Sequence, residues 1–222
     1  NHLANKICSQ VGSKLDDAYA NRDGQAFVAL YLKRDILMVI AILATLKAGA
    51  AYVPLAPTAP LDHNQMILDN AKPVAFICNE EYMGNLKNMS NLPLLSVEQV
   101  DPGLSAENLV LPKPRGPLDI CYVIYTSGTT GRPKGCILQH KGVMHLVVAQ
   151  GALLDGVQRT LLFAAYVFDA SVSELFVGLL NKGTVIMATE DVRKDSVLLG
   201  DFLVQKRIDW ATIPPVVAQV MD

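Results

Sequence analysis

The residues best suited to chemistry lie in one stretch, Tyr122-Val-Ile-Tyr-Thr-Ser-Gly-Thr-Thr-Gly-Arg-Pro-Lys-Gly135. An apolar run opens there into hydroxyl residues and glycines and closes on a lysine. Gly128 and Gly131 let the backbone turn tightly and bring N–H groups close to an anion. Thr126, Ser127, Thr129 and Thr130 add hydroxyl donors, and Lys134 adds a positive charge. That combination suits a chain of phosphates. The same composition also fits an ordinary Ser/Thr/Gly turn, and residue types alone leave both readings open. Two familiar phosphate patterns are excluded. A Walker A loop begun at Gly128 needs glycine where Pro133 stands, and the loop holds no G-x-G-x-x-G.

A second candidate is Asp169, just before Ala170-Ser-Val-Ser-Glu174. Val172, Leu175, Phe176, Leu179 and Leu180 recur at helical spacing and predict a core-facing stripe. Ser171 and Glu174 have the spacing of a capping box. By spacing alone, Asp169 reads as a helix cap or as a carboxylate complementing the helix dipole. His140 and His145 flank the helix after the loop and are given no role.

The elements that must position these groups alternate in type. Strand-like runs are expected at 26–32, 51–53, 74–78, 119–125, 161–164, 184–188 and 209–213. Helical patterns are expected at 35–48, 61–71, 139–154, 171–180 and 196–206, the first closed by Gly49. Leu61, Leu68 and Ala71 should share one buried face. The Gly-rich loop is expected at 126–135, at the carboxyl end of a strand, where open α/β sheets bind ligands. Strand, helix, strand in that rhythm means crossover units and a mostly parallel sheet. Residues 101–117, with four prolines and two glycines, read as a surface loop within a domain.

Composition narrows the class. Half of the 222 residues are hydrophobic, 18% are charged and the net charge is -2. That describes a packed globular domain without the basic excess of a nucleic-acid binder. The longest apolar run, 36–46, is short of the about 20 residues a membrane span needs. Cys8, Cys78, Cys121 and Cys136 are scattered and form no C-x-x-C pair, which fits reduced thiols and a cytoplasmic location. The expectation is therefore no nucleic acid and no membrane as partner.

Tyr125-Thr-Ser-Gly-Thr-Thr-Gly-Arg-Pro-Lys-Gly135 resembles the signature loop of the adenylate-forming superfamily of acyl- and aryl-CoA ligases, luciferases and peptide-synthetase adenylation domains. Leu46-Lys-Ala-Gly-Ala-Ala-Tyr-Val-Pro-Leu55 and Phe168-Asp-Ala-Ser-Val-Ser-Glu174 resemble core motifs of the nonribosomal peptide-synthetase branch, and Asn1-His2-Leu3-Ala4 resembles the tail of an earlier one. Ala56 and His63 depart from that branch, which usually has Asp and Arg there. The resemblance covers essentially the whole chain.

The resemblance implies an α/β fold, with mixed or parallel sheets flanked by helices, forming the large N-terminal part of an adenylation domain over residues 1–222. It implies ATP-dependent activation of an amino acid as aminoacyl-AMP, then transfer to phosphopantetheine on a carrier protein domain, among other synthetase domains. Thr126 to Gly131 and Lys134 would hold the ATP phosphates, with Lys134 acting catalytically at the outgoing pyrophosphate. Thr130 is the candidate ligand for Mg2+. Asp169 would pair with the substrate α-ammonium, and Ala170, Ser173 and Thr212 would line the side-chain pocket, though ordinary packing also fits these three. The family's later motifs, which supply a magnesium-binding acidic residue, a ribose-binding aspartate and a lysine, are absent from these 222 residues. The chain alone is therefore expected to be inactive. Two alternatives stay open: an acyl- or aryl-CoA ligase of the same superfamily, and a non-catalytic nucleotide-binding fragment.

Overall fold

A computed structural model describes residues 1–21, 26–101, 103–111, 114–127, 132–154 and 156–221. The chain divides into two compact units, residues 1–140 and 141–222, and each is described by itself.

The first unit opens with α1 (His2–Asn21), whose buried Leu3, Ile7, Val11, Leu15 and Ala18 form a stripe three to four residues apart. β1 (Phe27–Tyr31) follows, then α2 (Ile36–Lys47), β2 (Ala51–Leu55), α3 (Leu61–Ala71) and β3 (Ala75–Cys78). After a 3-10 turn come α4 (Met83–Met89), β4 (Leu94–Ser96), β5 (Ile120–Ser127) and β6 (Pro133–Gln139). The sheet order is β4-β3-β1-β2-β5-β6, parallel from β4 to β5, with β6 antiparallel at the edge. Every residue of β1, β2 and β3 is buried, as expected for strands covered on both faces by crossover helices. The α/β class with a mixed sheet flanked by helices is thus the observed architecture.

Local chemistry sets the joints. Asp35 caps α2, its Oδ1 accepting from the N–H groups of Leu37 and Met38 at 2.8 and 3.2 Å. The same helix ends at Gly49, whose φ of 75° lies in the left-handed region. The Gly49 carbonyl accepts from Arg115 Nε at 2.9 Å. That bond helps fasten the strap at 101–117, which His2 Nδ1 and Asn5 Nδ2 also hold through the carbonyls of Leu104 and Ser105, at 2.7 and 2.9 Å. A Cβ at Gly49 would stand 2.7 Å from Leu111 Cδ1 and 2.8 Å from Arg115 Nε. Gly49→Ala therefore meets left-handed strain, itself roughly 1–2 kcal/mol, plus a clash against the strap. The expected result is a loss of about 2 kcal/mol or more, read as a lowered urea midpoint with unchanged m-value. A midpoint within error of wild type would refute this account of the joint.

The second unit holds most of α5 (His140–Leu153), then β7 (Arg159–Leu162), α6 (Ala170–Leu180) and β8 (Thr184–Met187). α7 (Glu190–Lys194), α8 (Ser196–Gln205) and α9 (Pro215–Ala218) complete it. β7 and β8 pair in parallel, joined by α6 as the crossover. α6 presses closely on this sheet because residue 178 is glycine. A Cβ there would come within 2.3 Å of Thr160 Oγ1 and 2.6 Å of Val185 Cγ2. Leu161, Phe163, Ala188 and Leu199 form a small core, with α8 side chains such as Phe202 against it.

Several expectations need correction. Residues 133–139 were expected to end a loop and begin a helix, yet they form β6. As an edge strand, β6 tolerates Pro133 because a proline there costs the sheet no interior ladder bond. The strand expected at 209–213 is reduced to one parallel bridge, Trp210 to Thr160. Leu61 is 54% exposed, and Asn64, Ile67, Leu68 and Ala71 form the buried face of α3 instead. Leu180 is likewise exposed, so the α6 stripe ends earlier than its spacing suggests.

Candidate functional site

The expected phosphate loop is a β-hairpin in the first unit. Tyr125 faces Gly135, Thr126 faces Lys134 and Ser127 faces Pro133 across the β5–β6 ladder. Gly128, Thr129, Thr130 and Gly131 lie outside the described residues. The two arms that lead into and out of that segment are described. Thr126 and Ser127 are exposed on one arm, and Lys134 is exposed on the other. Thr126 Oγ1 reaches the Lys134 carbonyl at 3.5 Å. Lys134 makes no ion pair with the described residues, so its ammonium is available to an anion. The hairpin stands at the carboxyl end of β5, the same end at which the parallel strands β1, β2 and β3 finish.

A Cβ on Gly135 would sit 3.1 Å from Tyr125 Cζ and 3.1 Å from Val123 Cγ1, so the tyrosine ring occupies the space a side chain would need. Burial pushes the Tyr125 hydroxyl pKa up, and the hydroxyl donates to Asn70 Oδ1 on α3 at 2.6 Å. Beside this contact is a cavity of about 390 Å³ lined by Met66, Asp69, Asn70, Arg132 and Pro133.

In the second unit, the segment between β7 and α6 carries Asp169. Asp169 is exposed, and its side chain makes no capping hydrogen bond, although its backbone is helical at φ -62° and ψ -31°. Val172 N–H donates to the Asp169 carbonyl at 2.9 Å, and Ser171 Oγ donates to the Phe168 carbonyl at 2.6 Å. The cap expected of this carboxylate is therefore absent, which leaves its oxygens facing solvent.

The expected capping box also fails, for an instructive reason. Glu174 is fully buried, and its Oε2 accepts from the N–H groups of Phe163 and Ala164 at 2.8 Å each. It thus ties α6 to the exit of β7 and fixes the start of the turn that delivers Asp169. Two neighbouring amides converging on one carboxyl oxygen hold that oxygen, and with it the first turns of α6, in a fixed place. Sequence reasoning put Glu174 on a helix N-terminus, where spacing fits, and missed that its partners lie ten and eleven residues earlier.

Ala170 is half-buried on the first turn of α6, and Ser173, one turn on, has its hydroxyl engaged with Gln150 Oε1 of α5. Nothing in the sequence marks Gln150, since a lone glutamine on a helix carries no pattern. Thr212 is exposed, two residues past the parallel bridge at Trp210. The chain there leaves the sheet in the direction of β7, so Thr212 and the 163–169 turn lie at the same end of the second unit. The structure thus brings Asp169, Ala170 and Ser173 onto one helix start and sets Thr212 at the same end.

Among the described residues no group of three His, Cys, Asp or Glu could hold a metal ion. Thr130, the candidate magnesium ligand, lies outside them. No described helix is long and apolar enough to cross a membrane.

The chain is 37% identical over 224 aligned residues to malpinin synthetase of Mortierella alpina, covering 99% of the chain and 3% of that protein. It is 34% identical to gramicidin S synthase 1 of Brevibacillus brevis, covering 88% of the chain and 18% of the relative. The chain thus spans a small part of the curated relatives it matches. Among solved structures, a four-domain nonribosomal peptide synthetase, holo-AB3403, bound to AMP and glycine, superposes with a TM-score of 0.74 at 30% identity, over 93% of this chain and 15% of that one. The peptide synthetase FmoA3 in its α-methyl-L-serine-AMP-bound form shares the fold, with a TM-score of 0.80 at 23% identity over 99% of this chain and 24% of that one. The sequence profile described as AMP-binding enzyme matches residues 4–222. With that match spanning nearly its whole length, the chain belongs to the AMP-binding enzyme family.

Proposed function

We propose that residues 1–222 form the N-terminal portion of an amino-acid adenylation domain in a nonribosomal peptide synthetase. The observation that carries this reading is Asp169, a carboxylate at the mouth of a helix that the helix itself does not use. A pairing with a substrate α-ammonium accounts for it, and fatty or aryl acids offer no such partner. The similarity to peptide synthetases of fungal and bacterial origin supports the same branch.

The reaction joins two anions. A carboxylate oxygen of the amino acid bonds to the α-phosphorus of ATP. The bond from that phosphorus to the oxygen bridging to the β-phosphate breaks, and pyrophosphate leaves with the electron pair. The protein's work is to hold the acid in line and offset negative charge. Lys134 supplies positive charge on the hairpin arm, at the outgoing pyrophosphate. Thr126 and Ser127 offer hydroxyl donors to the phosphates, together with Gly128, Thr129, Thr130 and Gly131. Asp169 orients the amine, and Ala170, Ser173 and Thr212 bound the side-chain pocket. Magnesium accompanies the nucleotide in this scheme, with Thr130 as its candidate ligand.

The acyl group then passes to the phosphopantetheine thiol of a carrier domain within the same synthetase, the new C–S bond replacing the acyl–oxygen bond to AMP, which leaves with the electron pair while the thiol gives up its proton. A cytoplasmic setting belongs to this reading and fits the four free thiols. The test is exchange of labelled pyrophosphate into ATP by the synthetase that carries the chain, with a panel of amino, fatty and aryl acids. Exchange driven by one or a few amino acids is the expected result. Exchange driven by fatty or aryl acids would assign a CoA ligase instead, and no exchange with any acid would overturn the activity.

A further inference from the structure

We propose that Asn70 and Tyr125 are positioning residues for the adenylation chemistry, forming a strut from α3 to the hairpin arm that presents Lys134; this rests on the reading of that hairpin as the phosphate site. β6 is an edge strand with Lys134, Gly135, Cys136 and Ile137 all exposed, so among the described residues one flank of the arm lacks a neighbouring strand. Its placement depends on the ladder to β5 and on whatever reaches it from α3.

Tyr125 makes that reach. It lies opposite Gly135 in the ladder, and its ring covers the glycine so closely that a Cβ would come within 3.1 Å of Cζ. Its hydroxyl ends on Asn70 Oδ1, 2.6 Å away, one residue before the end of α3. The ring therefore holds the backbone immediately after Lys134 while its hydroxyl is anchored to a helix. The cavity of about 390 Å³ beside the strut, lined by Met66, Asp69, Asn70, Arg132 and Pro133, gives the arm room to shift once the anchor is cut. A lysine that must meet a phosphate within hydrogen-bond distance is sensitive to shifts of this kind.

The experiment compares Asn70→Ala, Tyr125→Phe and the isosteric Asn70→Asp, which keeps the accepting oxygen, in the synthetase that carries the chain. Pyrophosphate exchange is measured over ATP and amino-acid concentration, with hydrogen–deuterium exchange of the 134–139 amides and melting temperature alongside. Loss of one hydrogen bond at such a site is expected to lower kcat/KM for ATP about three- to tenfold. The KM for the amino acid should stay unchanged, the hairpin amides of both variants should exchange faster, and Asn70→Asp should restore both readouts. Wild-type amide exchange in Asn70→Ala and Tyr125→Phe would overturn the strut while leaving the functional reading intact. Faster amide exchange with unchanged ATP kinetics, or equal losses in Asn70→Asp and Asn70→Ala, would overturn the positioning role. Acid-independent behaviour of the wild type would instead bring down the functional reading, and the positioning role with it.

Discussion

Asp169→Ala in the synthetase that carries this chain is expected to erase most of its preference for an amino acid over the same acid lacking the amine. Breaking a buried ion pair by removing one partner costs about 3–5 kcal/mol, or roughly two to three and a half powers of ten. The wild type should show a preference of that order, and the mutant should lose it chiefly through reduced activity toward the amino acid. The magnitude depends on the pair being shielded from water once the substrate is bound. Asp169 is exposed in this structure, and an ion pair left in water is worth only about 0–1 kcal/mol. A preference below tenfold would therefore mean that the site stays wet. The competing reading, a helix cap, makes a different forecast: loss of about 1 kcal/mol of stability and equal effects on both acids. That reading has already lost its main support, because the side chain makes no capping bond. Residual dipole complementation would contribute about 0.3–1 kcal/mol to folding and nothing to discrimination. Pyrophosphate exchange with the acid pair, in wild type and mutant, with melting temperatures as a folding control, decides between them. A mutant that keeps the wild-type ratio would remove the best residue behind the amino-acid assignment.

What the sequence could disclose depended on whether a residue's partners were local. α2 is an example of full legibility: Asp35 caps amides two and three residues on, and Gly49 closes the helix, so both ends are set by neighbours. β1 and β3 are equally plain, since burial on both faces leaves an unbroken apolar run, whereas β2 runs two residues past the expected 51–53, through Pro54 and Leu55. β6 was hidden because Pro133 and Gly135 are turn residues by composition, and only its place at the sheet edge makes them acceptable there. The 209–213 run failed for the opposite reason. It has the composition of a strand, yet it pairs at a single bridge.

The candidate site divides along the same line. The hairpin and the helix start could be found because glycines, hydroxyls and a lysine in sequence carry their own chemistry. Glu174 was misread because its two amide partners lie across the crossover, outside any window in which capping boxes are recognised. Asn70 was invisible for a related reason. It lies 55 residues from the tyrosine it holds, and nothing in the pattern of α3 marks it.

Lys134→Ala is expected to cost about 10²–10³ in exchange rate, the usual consequence of removing one preorganised electrostatic contact to a developing anion. The structure separates this effect from a folding defect. Lys134 is exposed on an edge strand, its backbone partner Thr126 is retained in the mutant, and it forms no ion pair with the described residues. Exposed charges of this sort contribute little to stability, typically within about 0.5 kcal/mol. The melting temperature should therefore move by no more than a few degrees while exchange collapses. Two further comparisons sharpen the assignment. Lys134→Arg retains the charge but spreads it over a planar fork, so it should recover part of the activity. Raising the salt concentration should weaken wild-type ATP binding more than that of Lys134→Ala, because the mutant has lost the charge that salt screens. A purely structural hairpin lysine predicts the reverse, a lowered melting temperature with exchange intact. Mutant exchange within twofold of wild type at equal stability would remove Lys134 from the reaction and leave the loop's phosphate role to its backbone and hydroxyl groups.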